Sequence, residues 1–292
     1  MKQYLTKFSN RAAFEAELAN LDYPNVTYLS EDDEMVFAQN APEPETDWSK
    51  EYLTFLALED GTFTFSRYAI NYSLDDGQTW TELPTGTNTP TVTAGGKIKF
   101  KGNIITSSGY GIGPFSSTAR YEVMGNPYSL KYGDDFGGEL ESSGNEFKNL
   151  FSGSTGLTSA EHLAMPDIPL AGSCYQKMFY GCTSLTTAPE LPATTLAQRC
   201  YSSMFQGCTS LTTAPELPAE ELVNYCYEGM FFGCTSLNYI KMLAPSALAT
   251  NCLVGWVSGV ASSGTFVKHP DADLPTGANG IPEGWTVETA TA

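Results

Sequence analysis

The sequence is poor in basic side chains and has no long hydrophobic run. It holds 15 Lys and Arg residues against 33 Asp and Glu residues, which gives a formal net charge of -18. Proteins bind nucleic acid and anionic lipid largely through Lys and Arg, so this charge argues against both partners. No apolar run reaches the roughly 18 residues that can cross a bilayer, and no membrane insertion is predicted.

An export signal is also missing from the first residues. The start, Met1-Lys-Gln-Tyr-Leu-Thr-Lys-Phe8, lacks the apolar core of roughly 7–15 residues that marks a signal peptide. We therefore expect synthesis in the cytoplasm, unless a signal has been removed from the chain. Seven cysteines, an odd number, in a chain without such a signal favour reduced thiols.

Few side chains are arranged for catalysis. The two histidines, His162 and His269, have no neighbouring cysteine or carboxylate in a metal or nucleophile motif. The sequence contains no G-x-S-x-G, no H-E-x-x-H and no phosphate-binding glycine loop. We predict no enzyme activity, no cofactor and no metal. A glycan-acting enzyme with paired carboxylates stays a weaker alternative, because acidic residues are plentiful.

The strongest signal is a repeat of 26 residues in the C-terminal half. Three full units occupy 174–199, 200–225 and 226–251, and a degenerate unit precedes them, in which Leu150 aligns with Met178. A period of this length fits a solenoid in which each unit supplies one short strand and one turn of helix. Two columns of cysteines mark the period: Cys174, Cys200, Cys226 and Cys252, and Cys182, Cys208 and Cys234.

The residue pattern assigns the elements within a unit. We place the turn of helix around Tyr175 and Phe179, and expect Gly181 to end it in a left-handed conformation. The strand is placed from Leu185 towards Leu191, with prolines that interrupt its pairing. Equivalent residues of successive units should lie about one strand spacing apart, roughly 4.8 Å, which predicts ladders of like side chains.

The cysteine columns have three interpretations. Buried small apolar residues are favoured. Disulfides between adjacent units are geometrically allowed, because about 5 Å between Cα atoms lies within their range. Zinc is disfavoured, because the spacing of Cys174 and Cys182 lacks the close pairs of structural zinc sites.

The unit motif resembles a known repeat family. Met178-Phe-Tyr-Gly-Cys-Thr-Ser-Leu-Thr186, followed by a proline-bounded apolar strand, is similar to the BspA-like leucine-rich repeats of gut Bacteroidota and their phages. The similarity covers about 147–251, and it departs from the family in repeat length and in the Ala-Pro-Glu-Leu-Pro strand. It implies a non-catalytic solenoid that presents a ligand-binding surface, and no binding residue is carried over from the family.

The N-terminal half shows no repeat. Residues 1–60 carry 13 acidic and 4 basic residues, and we predict that 1–47 docks to other proteins. This region should hold a short helix capped by Asn10, a strand at 26–29 and an acidic linker at 41–47. From 52 to 124, apolar residues alternate in seven short segments, which predicts strands at Leu53/Phe55, Phe63/Phe65, Ile70/Tyr72, Trp80, Val92, Ile98/Phe100 and Tyr121/Val123. Within them, the segment from Ser73 to Trp80 resembles the Asp-box hairpin of sialidases, where the turn is structural.

Together these patterns predict a mainly β protein with four segments. A small α/β region at 1–47 docks to partners, and an Ig-like antiparallel β-sandwich occupies 48–125. A leucine-rich-repeat-like solenoid with its N-terminal cap follows at 126–251, and a β cap at 252–292 closes the stack.

The leading functional hypothesis is a virion structural protein of a phage, a head or tail fibre or decoration. Residues 1–47 would bind other virion proteins, and the repeats would bind a host surface protein or glycan. A bacterial cell-surface adhesin of the same repeat family is the alternative. The sequence has no coiled-coil heptad pattern that would predict a trimer. It does not decide whether the chain associates with copies of itself. Solenoids bind partners over extended concave surfaces. The candidate ligand-binding residues therefore lie on the strand face: Thr187, Glu190, Thr213, Glu216 and Tyr239. The alternative is that this face is solvated and binds no ligand.

Overall fold

The computed structural model describes residues 7–8, 26–31, 34–39, 46–104 and 111–291. The chain is mainly β and divides into two compact units, 1–47 and 48–292. The segments predicted at 48–125, 126–251 and 252–292 thus lie within one unit. Over the described residues, no helix has the length and apolar character needed to cross a bilayer.

The first unit contains a three-stranded antiparallel sheet. Its strands are β1 (Lys7–Phe8), β2 (Val26–Glu31) and β3 (Glu34–Gln39), in the order β1-β3-β2. Strand β2 contains the strand predicted at 26–29. The predicted helix that begins near Asn10, and residues 41–45 of the predicted linker, lie outside the described residues.

Two further sheets form the first part of the second unit. After a short 3-10 helix (Trp48–Lys50), the chain forms eight strands, six of which make one sheet in the order β11-β10-β4-β8-β6-β7, and β5 and β9 make the other. Neighbours are antiparallel except β10 and β11. The strands are β4 (Leu53–Ala57), β5 (Phe63–Phe65), β6 (Ile70–Ser73), β7 (Thr81–Leu83), β8 (Lys97–Lys101), β9 (Phe115–Ser117), β10 (Tyr121–Gly125) and β11 (Leu157–Leu163).

The alternating apolar residues meet in one aromatic core. The ring of Phe55 lies 5.2 Å from that of Phe63 in the second sheet and 4.9 Å from that of Phe100 in the first. All three side chains are fully buried. Two segments differ from the prediction, because Val92 forms only an isolated bridge with Gly61 and strand β9 was not predicted.

The Asp-box turn between β6 and β7 has the predicted structural role. Asp75 accepts hydrogen bonds from the Thr79 backbone N–H (2.8 Å) and hydroxyl (2.6 Å), and from the Ser73 hydroxyl (2.7 Å). These bonds to the charged form, led by that of the Thr79 hydroxyl, lower the pKa of Asp75 to about 2. Gly77 has a φ of 89°, which a residue with a Cβ rarely adopts.

The start of each repeat is a run of tight turns, and the predicted turn of helix is wrong. Over residues 173–181, all of them described, no helix is assigned. Every fourth residue has a positive φ instead, with 58° at Ser173, 57° at Lys177 and 71° at Gly181. Gly181 is left-handed as predicted, but it closes the last of these turns rather than a helix.

Backbone hydrogen bonds between units explain this geometry. Alternate N–H groups point inside the unit, as in the 3.1 Å bond from Met178 to the Tyr175 carbonyl. The groups between them point to the next unit, as in the 2.9 Å bond from Phe179 to the Met204 carbonyl. An α-helix would bond all of its interior N–H groups internally. The ladder between units therefore requires the repeated reversal that the left-handed residues provide.

Like side chains stack in columns along the units, as predicted. The rings of Phe179 and Phe205 are 5.3 Å apart and 1° from parallel, and those of Phe205 and Phe231 are 5.8 Å apart. A parallel column of tyrosines passes through Tyr175 and Tyr201, whose rings are 5.7 Å apart. These rings are buried, so each unit completes the core of its neighbours.

The strand predicted from Leu185 to Leu191 is reduced to one bridge. Thr187 pairs with Ser159 of β11, and the rest of this described segment forms no ladder. Pro189 has no N–H to donate, which interrupts pairing. In the third unit Lys241 stands at the equivalent position, and there a strand forms, β12 (Tyr239–Met242).

The tail, predicted as a β cap, forms two strands. Strands β13 (Thr265–Lys268) and β14 (Thr286–Thr289) extend β12 in parallel, in the order β12-β13-β14. Trp256 continues the aromatic column, with its ring 6.1 Å from that of Phe231. Its indole N–H donates to the Gly280 carbonyl at 2.8 Å, a bond within the tail that holds Gly280 against the end of the aromatic column.

The segment from 126 to 146 joins the sheets to the repeats. It contains helix α1 (Ser129–Tyr132) and a 3-10 helix (Gly133–Asp135). The ring of Tyr128 packs on that of Phe147 at 4.9 Å, which covers the start of the aromatic column. Glu146, whose side chain is fully buried, forms an ion pair with Lys131 at 2.6 Å.

Candidate ligand-binding surface

Backbone pairing sets the side of the repeat stack on which the predicted ligand-binding residues lie. We call one side of the stack the strand side. It holds β11, β12 and the isolated bridges that other units make to these two strands. Thr187 bridges to Ser159 of β11, and Thr213 bridges to Tyr239 of β12, both in parallel. Each of these three predicted residues therefore takes part in a parallel bridge on the strand side.

Glu190 and Glu216 line a groove between successive units, the proline groove. It has a volume of about 370 Å³, and most of its other lining residues are prolines, Pro189 and Pro215 among them. Glu216 accepts a hydrogen bond from the Lys241 ammonium group at 2.9 Å. The partner that the structure shows for the Glu216 carboxylate is thus Lys241, across the boundary between two units.

A second groove of about 580 Å³ lies where the six-stranded sheet meets the repeats, and we call it the seam groove. Its floor is continuous backbone, because β10 pairs in parallel with β11 and β11 bridges to the first full unit through Thr187. The side chains that line it come from three parts of the chain, the sheet, β11 and the repeats: Leu58, Arg120, Glu122, Thr158, Ser159, Glu161, Ser184, Thr186, Thr187 and Ser210.

The charged side chains of the seam groove have no partners among the described residues. The backbone N–H of Arg120 donates to the Glu59 carboxylate at 2.8 Å, and the N–H of Glu161 donates to the Ser159 hydroxyl at 3.3 Å. No hydrogen bond or ion pair in the described part of the chain engages the guanidinium of Arg120 or the carboxylates of Glu122 and Glu161. One unpaired cation therefore lies in a groove with two unpaired carboxylates.

The structure divides the predicted residues between two sites and adds others. Thr187 lines the seam groove, Glu190 and Glu216 line the proline groove, and Thr213 and Tyr239 line neither. Sequence reasoning missed Arg120 and Glu122. The signal for their exposure was present, because the alternation that buries Tyr121 turns both neighbours outward. Their position beside the repeats follows only from the pairing of β10 with β11.

The cysteine columns are buried, as favoured. All seven thiols are free, and burial raises the pKa of Cys182 and Cys234 to about 12. The second column also bonds to the backbone, since the Cys208 thiol donates to the Phe179 carbonyl at 3.1 Å. A thiol with a raised pKa is a poor nucleophile and metal ligand. The described residues contain no group of three or more side chains placed to hold a metal ion.

The two histidines have separate surroundings. His162 stacks on Trp48 with 5.1 Å between ring centroids, and His269 accepts a hydrogen bond at Nδ1 from the Asp271 N–H at 3.1 Å. Neither histidine lines the seam groove or the proline groove. Compared with protein-family models, with curated proteins and with solved structures, the chain has no match in any of the three.

Proposed function

We propose that this protein is a non-catalytic binding protein of a virion, a fibre or decoration that attaches the particle to a host-cell protein or glycan. In this proposal 1–47 binds other virion proteins, 48–125 is an Ig-like β-sandwich, and the repeats form a leucine-rich-repeat-like solenoid. The observation that carries it is the strand side of the stack. It presents two open grooves, the seam groove and the proline groove.

The roles of the reactive side chains support a binding role over a catalytic one. The seven thiols are buried within the stack, and the pKa shifts all favour the neutral form. Glu216 is held by Lys241, and Glu146 by Lys131. The seam groove, in contrast, holds charged side chains with no partner among the described residues, which suits recognition.

The division of the chain at residue 47 supports separate attachment and recognition parts. The test compares the full chain with a chain that lacks 1–47, using purified phage particles and purified host cells. A chain with Glu288→Gln, an exposed site on β14, serves as the control for surface charge. We expect the shortened chain to lose particle binding and to keep cell binding.

Three results decide between the candidate functions. Cell binding without particle binding by the full chain would favour the bacterial adhesin. Absence of both kinds of binding would refute the proposal as a whole. Release of reducing sugar from any glycan that binds would refute the non-catalytic role.

A further inference from the structure

The size and the lining side chains of the seam groove indicate a class of ligand for the strand side. Its volume of about 580 Å³ falls within the roughly 300–1,000 Å³ that is typical of small-ligand sites. Nine of the ten lining residues have polar or charged side chains: six are serines or threonines, and Arg120, Glu122 and Glu161 carry charges with no partner among the described residues. Donors and acceptors therefore share one shallow surface.

We propose that the seam groove binds a neutral, hydroxyl-rich glycan, an assignment that rests on the proposed function and names its ligand. A sugar hydroxyl both donates and accepts hydrogen bonds. The carboxylates of Glu122 and Glu161 accept from such hydroxyls, and the guanidinium of Arg120 donates to them. Leu58, which is 38% exposed at the edge of the groove, offers apolar contact to the C–H face of a sugar ring.

The charge of the groove selects a neutral ligand. Arg120 carries one positive charge, and Glu122 and Glu161 carry two negative ones, so the lining has a net charge of -1. The Glu59 carboxylate, bonded to the Arg120 N–H, adds another negative charge beside it. A glycan rich in carboxylates or sulfates would be repelled by these acids and by the net charge of -18 of the whole chain.

A basic peptide is the competing ligand, and Arg120 argues against it. An ammonium group drawn to Glu122 or Glu161 would meet the unpaired guanidinium in the same groove. Like charges at close range cost binding free energy. The two ligands therefore respond in opposite ways to the loss of Arg120, because its removal weakens a glycan site and strengthens a cation site.

The experiment uses the full chain and titrates it with probes of three classes: dextran and mannan as neutral glycans, polygalacturonate as an acidic glycan, and oligolysine as a basic peptide. The variants are Arg120→Gln and Glu161→Gln. Their matched controls are Lys97→Gln and Glu288→Gln, which remove the same charges from exposed positions outside both grooves. Thermal melting of each variant verifies that the fold is retained.

We expect at least one neutral glycan to bind, and each groove variant to weaken it about 10- to 100-fold, as for loss of a hydrogen bond to a charged group. The controls should stay within about twofold of the unchanged chain. Binding of polygalacturonate alone, or binding of oligolysine that Arg120→Gln strengthens, would overturn the assignment.

The outcomes also separate this inference from the proposed function. If a neutral glycan or host cells bind and neither groove variant changes the affinity, the binding site lies elsewhere on the protein. The groove assignment then fails while the binding role stands. If neither cells nor any probe bind to the unchanged chain, both fail.

Discussion

Replacing Phe205 by alanine removes the central ring from the column of stacked phenylalanines. Phe205 is fully buried, with the Phe179 ring at 5.3 Å on one side and the Phe231 ring at 5.8 Å on the other. Truncation of a buried phenylalanine costs about 3–5 kcal/mol, because transfer free energy is lost and a cavity remains. We expect about 4 kcal/mol here, because the neighbouring rings are fixed by the backbone ladder and cannot close the gap.

A matched control lies in the next unit. Phe232 is 46% exposed, and Phe232→Ala should change the free energy of unfolding by no more than about 0.5–1 kcal/mol. A third variant, Phe205→Leu, keeps most of the apolar area but loses the two ring pairs. Each such pair contributes roughly 0.5–1.5 kcal/mol beyond its area, so an intermediate loss is expected.

Urea denaturation followed by tryptophan fluorescence measures these differences. Trp256 is fully buried and continues the phenylalanine column, so its emission reports on unfolding of the stack. With an m-value of roughly 2–3 kcal/mol/M, a loss of about 4 kcal/mol lowers the midpoint by about 1.3–2 M. A shift for Phe205→Ala no larger than that for Phe232→Ala would refute the argument that stacked units share one core.

Three further predictions concern the thiols, the Asp-box and the left-handed positions. At pH 8 the seven cysteines should resist alkylation in the native protein and react fully in denaturant, and rapid native labelling would contradict their burial. Asp75→Asn should lower the melting temperature at pH 7, unlike Asp167→Asn. The folded pKa of Asp75 is about 2 against an ordinary 3.8, so this stabilisation is present above pH 3.8 and is lost as pH falls through about 2. Melting temperatures recorded from pH 7 to pH 2 measure this loss. Ser203→Gly, at a φ of 54°, should raise unfolding free energy by about 1 kcal/mol in urea, whereas Ser236→Gly should not.

Several features of the repeats were predictable because they depend on identity at a fixed period. Residues that recur every 26 positions must lie in equivalent surroundings, so ladders of phenylalanine and tyrosine and burial of the cysteine columns followed from spacing alone. The Asp-box turn was predictable for a different reason. Its hydrogen bonds all lie between Ser73 and Thr79, and each joins residues no more than four positions apart.

The turn geometry was not predictable from the spacing of apolar residues. Tyr175, Met178 and Phe179 fit a turn of helix, and in the structure they are all buried as a helix would bury them. The left-handed residues between them, such as Lys177, satisfy bonds to the next unit, as in the 3.0 Å bond from Lys177 to the Ser202 carbonyl. Local propensity gives no sign of a partner that lies in another repeat.

The candidate site was decided mostly by tertiary structure. The sequence carried the signal that Arg120 and Glu122 face outward, since alternation around the buried Tyr121 turns both neighbours away from the core. It also placed Thr187 on the strand side of the repeats. Only the parallel pairing of β10 with β11, across a connection with no repeat period, brings these residues into one groove. Side-chain direction is set locally along a strand, whereas the choice of neighbouring strand depends on how the whole core packs.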